Sequence, residues 1–171
     1  MNIVGLDVDY RDDHAQTGWV LFQDWSDGVP LGQGTVRSEG VEAYEPGAFF
    51  RRELPALLKT LESLPVEVEG LVIDGFCWLG ADRPGLGAHL YETLRGKAWV
   101  VGVAKRPFQG HPGLPVVRGN ATQPLWVTAC GMNPEQAARW VQSMHGPYRL
   151  PTLLKRADQL ARSGRPVSSF S

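Results

Sequence analysis

The chain of 171 residues has only two cysteines, Cys77 and Cys130. That is too few for a disulfide framework, and reduced thiols in a cytosol are the simpler expectation. No window of about 18 apolar residues occurs, which argues against a membrane-spanning helix. The opening residues, MNIVGLDVDY, lack the basic flank and long apolar core of a signal peptide. A cytoplasmic protein with no membrane partner is expected on these grounds. An excess of charge is also missing, since the formal net charge is −1. Such a chain has no bulk attraction to nucleic acid, and an enzyme acting on one would need local basic groups to meet the phosphates. No internal repeat, low-complexity block or interdomain linker is found. Residues 1–171 are therefore read as one domain, long enough to bury a real core.

What is present is a clear order of periodicities. NIVGLDVDY alternates and is β-branched, so it reads as a strand with Asp7 and Asp9 on one face. TGWVLFQDW (17–25) and LGQGTVRSE (31–39) read as two more strands, separated by the turn signal SDGVP. Leu54, Leu57, Leu58, Leu61 and Leu64 then recur at helical spacing, with Pro55 among them, where a kink or a new first turn is expected.

EGLVIDG (69–75) reads as a buried strand that runs through a loop into a helix over 84–95. AWVVGVAK (98–105) is another buried strand, so these elements form parallel crossovers. Residues 106–123 read as a loop, and PLWVTA (124–129) as one more strand. Asn133 is a natural cap for a helix beginning at Pro134, with its stripe at Ala137, Trp140, Val141 and Met144. A last helix carries Leu153, Leu154, Ala157, Leu160 and Ala161 and stops near Gly164, and the tail RPVSSFS is expected to fray. The sum is an α/β fold, with a three-strand antiparallel meander plus parallel strands in one mixed sheet flanked by helices. The ribonuclease-H-like fold is one known solution to this order.

Four acids sit where charge is expensive. Asp7 lies in mid-strand among Val4, Leu6 and Val8, and Asp74 ends the strand Leu71-Val72-Ile73. If those strands are neighbours, both carboxylates converge near one sheet edge. Glu53 shares a helical face with Phe49, Leu57 and Leu61, and Asp158 stands at helical spacing from Leu154 and Ala161. Singly, each has an ordinary explanation: a turn-forming aspartate, or a glutamate paired with Arg51 or Arg52. Jointly they would repel and take up protons. A hard divalent cation such as magnesium or manganese removes that conflict, and two such ions about 4 Å apart suit phosphodiester cleavage.

Five segments, in order, resemble the endonuclease V family, whose members are ribonuclease-H-like and nick nucleic acid near deaminated adenine (inosine). They are GLDVDY, YEPGAFFRRE, IDGFCWLGADRPGLGAHL, VVGVAK and YRLPTLLKRADQLAR. The resemblance implies an endonuclease that depends on Mg2+, with Mn2+ able to substitute, and that acts on DNA or RNA containing inosine to leave a 3′-hydroxyl and a 5′-phosphate. It implies metal ligation by Asp7, Glu53, Asp74 and Asp158. Lys105 would neutralise phosphate charge or orient the attacking water. Tyr44, Pro46 and Gly47 would form a wedge in the nucleic acid, and Gly75 and Gly85 would let the backbone approach the extruded base.

The chain departs from the family pattern in places. Ala43 stands where a proline precedes the wedge tyrosine, Cys77 where a second glycine follows Asp-Gly, and Gly80 where a histidine is usual. Cys130 and Met132 replace the proline and histidine of a later segment. Two other readings stay open. One is a weakly active homologue that binds nucleic acid or a partner. The other is a different ribonuclease-H-like nuclease, such as a junction resolvase, suggested by Asp7 followed by TGW.

Overall fold

The computed structural model describes residues 1–40, 49–110, 113–164 and 168–170. The expected meander is β1 (Ile3–Tyr10), β2 (His14–Phe22) and β3 (Gly32–Glu39), each antiparallel to the next. Helix α1 (Phe49–Ser63) crosses to β4 (Gly70–Asp74), which lies parallel to β1 with Leu6 opposite Ile73. Helix α2 (Leu86–Thr93) then leads to β7 (Trp99–Ala104), parallel to β4. β9 (Leu125–Cys130) runs antiparallel to β7, and α3 (Pro134–Ser143) and α4 (Thr152–Arg162) follow. Together with β8 (Leu114–Val116) and β10 (Ser168–Phe170) the main sheet has the order β10-β3-β2-β1-β4-β7-β9-β8. Among the described residues no helix is long and apolar enough to cross a membrane.

Alternation along the central strands divides the core into two layers. Ile3, Val20, Phe22, Val72, Val101 and Val103 pack with α3 and α4. Val4, Leu6, Leu21, Leu71, Ile73 and Val100 pack against the leucines of α1 and α2. Asp7 and Asp74 share parity with the first set, so they belong to the α4 face. Gly18, opposite Asp7 on β2, lets α4 approach closely, since a Cβ there would lie 2.2 Å from the Ala157 carbonyl oxygen.

Five expectations are corrected. Residues 106–123 are not wholly loop, because β8 (Leu114–Val116) pairs with β9. The segment after Asp74 is not a plain loop either, since β5 (Trp78–Gly80) and β6 (Arg83–Pro84) form a short antiparallel ribbon. Helix α1 does not start afresh at Pro55 but runs through it from Phe49. β2 ends at Phe22 rather than at residue 25, because Asp27 Oδ2 accepts the Gln23 and Asp24 amides at 3.1 and 2.9 Å and turns the chain. Trp25 is thereby free to stack on Trp99 and Trp140. Residues 168–170 of the tail do not fray, because β10 (Ser168–Phe170) pairs with β3. Phe170 lies 5.3 Å from the Trp19 ring, over the bare Cα of Gly32.

The Asn133 cap is as expected, with its side chain accepting the Gln136 amide. Arg118 had no sequence signal, because an arginine in a loop ordinarily reads as solvated. It is 3% exposed, and its guanidinium donates to the carbonyls of Tyr148 at 2.6 Å and Gly146 at 3.1 Å. Arg149 in turn donates to the carbonyls of Pro124 and Lys105. These bonds fix the segment that feeds α4 and hold it beside the end of β7.

Candidate active site

The C-terminal ends of β1, β4 and β7 meet at one edge of the sheet. Parity puts Asp7, Asp74 and Lys105 on the same face, and α4 adds Asp158 from above. These side chains line a single hollow with Leu150, Leu154 and Ala157. A second hollow, beneath the same strand ends, joins Asp7 and Asp74 to Glu53, Leu57 and Leu86. Asp7 and Asp74 thus form the partition between two depressions, with Glu53 on one side and Asp158 with Lys105 on the other.

Asp7 is the centre of the group. Its carboxyl accepts the Val8 amide at 2.9 Å and is within hydrogen-bonding reach of both Asp158 and Asp74. Burial is the largest influence on Asp7, followed by the charges of Asp74 and Asp158. They push its pKa up from 3.8 to about 8, although Lys105 pulls the other way. Asp74, the more open to solvent, is also raised by burial, opposed first by Lys105. Glu53 is raised to about 8 by burial and by Asp74, with Arg52 opposing. Carboxyls held this high are short of compensating charge.

Not every acid is short of a partner. Asp158 pairs with Arg162 at 3.0 Å, a contact that the four-residue spacing of the two on α4 could have signalled. Asp9 pairs with Arg11, whose guanidinium also donates to the carbonyls of Ala161 and Ser163, so it anchors the end of α4 and stands outside the acid group. Arg52 lies 3.8 Å over the Tyr10 ring, which neither residue's sequence context indicated.

The donor set suits a hard divalent cation, being all carboxylate oxygen with an unrelieved negative charge. Among the described residues no three such donors converge closely enough to enclose an ion as they stand. Coordination would start from the Asp7–Asp74 pair and draw in Glu53 or Asp158.

Tyr44, Pro46 and Gly47 lie outside the described residues. Gly75, directly after Asp74, has φ of +131° and open space where a side chain would stand. Gly85 is different. A Cβ there would lie 2.6 Å from the Phe76 carbonyl oxygen, and its amide donates to the Cys77 carbonyl, so its bare Cα serves the chain's own packing. Gly80 sits on β5 at the rim of this loop.

Against known proteins, the profile of the Endonuclease V family matches residues 1–131. Endonuclease V of Alkalilimnicola ehrlichii is 30% identical over 75% of this chain and 65% of its own length. That of Desulfurococcus amylolyticus is 30% identical over 64% of this chain and 48% of its own length. The chain thus spans less than two thirds of these two relatives. The match to Endonuclease V of Streptomyces avermitilis is broader, at 29% identity over 94% of this chain and 79% of the relative. The crystal structure of that enzyme superposes with a TM-score of 0.76 at 27% identity, covering 95% of this chain and 80% of the other. Ciona intestinalis Endonuclease V, solved with a 24mer DNA containing an inosine followed by a ribo-adenosine, superposes at 0.78 with 18% identity, over 94% of this chain and 84% of that one. The ribonuclease-H-like fold is therefore shared over more of the chain than the matched profile covers. By fold and by sequence, the chain belongs to the endonuclease V family.

Proposed function

We propose that this chain is a divalent-metal-dependent endonuclease that nicks DNA or RNA near inosine, with residues 1–171 acting as one unit in the cytoplasm. The observation that carries the reading is the placement of Asp7 and Asp74 between two hollows, one shared with Asp158 and Lys105 and the other with Glu53. Asp7 and Asp74 would hold the ion, with Glu53 and Asp158 as the further acids available to it. When bound, Mg2+, or Mn2+ in its place, would lower the pKa of water and neutralise charge developing on the phosphate. Lys105, already close enough to bias both Asp7 and Asp74, lies where a scissile phosphate would meet the acids. Tyr44, Pro46 and Gly47 enter the strand beside the lesion, and the open Gly75 lets the backbone approach the extruded base. The Ciona relative bound to inosine-containing DNA supports the choice of substrate.

A second reading is a family member that binds its substrate with little turnover. It is favoured by Arg162, which competes for Asp158. Incubation with magnesium and labelled DNA or RNA strands carrying one inosine separates the two, with undamaged and branched strands as controls. Inosine-dependent nicking that is lost in Asp74→Ala supports the first. Retention of the strand without nicking supports the second, and cleavage of the branched control alone overturns both. Tyr44→Ala should weaken discrimination for inosine in a competition assay more than it weakens metal binding.

A further inference from the structure

We propose that Cys77 and Cys130 are a modification site, two buried thiols that close into an intrachain disulfide when they meet a small disulfide oxidant. The hydrolytic reading uses neither residue, and it places both beside the loop that follows Asp74.

The geometry brings the sulfurs together from two elements. Cys77 is tied to β9 through its amide, which donates to Thr128 Oγ1 at 2.8 Å, and its Sγ reaches the Val100 carbonyl at 3.5 Å. Cys130 lies two residues beyond Thr128, on the same face of β9, and is the register partner of that same Val100. The two thiols therefore converge on one point of β7, within a single apolar cluster. Both belong to one apolar cluster, Cys77 with no exposed surface and Cys130 with 5%. A solitary buried thiol packs as a small hydrophobe, whereas two in contact across separate elements have a reaction available to them.

The environment also assigns the order of attack. The Cys77 thiol stabilises the Cys130 thiolate and draws its pKa down, while burial keeps Cys77 protonated. Cys130, the more exposed, attacks a low-molecular-weight disulfide, forming a mixed disulfide and expelling one thiolate. Cys77 then gives up its proton and attacks the Cys130 sulfur, expelling the second thiolate. The oxidant is reduced to two thiols, and the protein loses two protons and two electrons.

The bond would act on the loop. The Cys77 carbonyl accepts the amides of Gly85 at 2.8 Å and Ala88 at 3.3 Å, so this residue joins the start of α2 to the chain just after Asp74. Drawing its sulfur from Val100 to Cys130 moves that junction. In a reducing cytosol the site stays open and closes only under oxidation.

The test uses the full chain, incubated with increasing oxidised glutathione beside a cysteine-containing peptide as a reactivity control. Free thiols are then alkylated in denaturant, and intact mass and non-reducing electrophoresis are recorded. The expected product is a monomer with no alkylatable thiol and a mass lower by two hydrogens, restored by dithiothreitol. Digestion should join the peptides carrying Cys77 and Cys130. Cys77→Ala should stop at a glutathione adduct on Cys130. A stable adduct on the wild-type chain, a cross-linked dimer, or two free thiols under conditions that oxidise the control peptide would each overturn the assignment.

Discussion

Replacing Asp7 by asparagine should stabilise the metal-free protein, even though it should abolish the proposed activity. Asparagine keeps the shape of the carboxyl, can still donate to Asp74 or Asp158, and removes the charge. In the wild type a carboxyl with a pKa of 3.8 when unfolded rises to about 8 when folded. The folded state therefore holds the proton more tightly, and stability falls as pH climbs from about 4 to 8. The full shift corresponds to roughly 6 kcal/mol. Asp74 titrates together with Asp7, and Asp7 is only partly buried, so a gain on the order of 2 kcal/mol at pH 8 is the expected size. Urea denaturation, followed by tryptophan fluorescence in EDTA, measures it. The variant and wild type should coincide near pH 4 and diverge towards pH 8. Magnesium should then close the gap by stabilising only the wild type, by about 2.7 kcal/mol at a hundredfold excess over the dissociation constant. A variant no more stable than wild type at pH 8 without metal, or a gap independent of pH, would refute the claim that burial and the neighbouring acids make a charged Asp7 costly.

Three further changes probe how the site is held. Gly18→Val puts a side chain 2.2 Å from the Ala157 carbonyl and 2.5 Å from the Ala161 amide, so α4 must retreat from β2. A loss of about 1–3 kcal/mol in urea denaturation is expected, together with weaker manganese binding by calorimetry, as Asp158 leaves Asp7. Arg118→Met removes the donor shared by the Tyr148 and Gly146 carbonyls and should destabilise the chain by roughly 2–4 kcal/mol in the same assay. Phe170→Ala should lower stability by about 1 kcal/mol through the lost Trp19 contact, whereas an unchanged midpoint would mean that β10 does not hold the edge of β3.

By itself the sequence determined what depends on local order. Alternation marked β1 and β4 with their aspartates, leucine spacing marked α1, and the Asn133-Pro134 pair marked the start of α3, because each is a backbone preference or a repeat within one element. The acids stood out for the same reason, as charges written into apolar patterns.

Other features were decided by tertiary contact. Asp7 opposes Asp74 only because β1 and β4 pair in parallel, and Asp158 reaches them only because Gly18 lets α4 sit close. The edge strand at Phe170, the pairing of β8 with β9 and the buried role of Arg118 have no local signature. Each depends on a partner in another segment of the chain, and such contacts form only once the folded chain has met the entropy of closing the intervening loops.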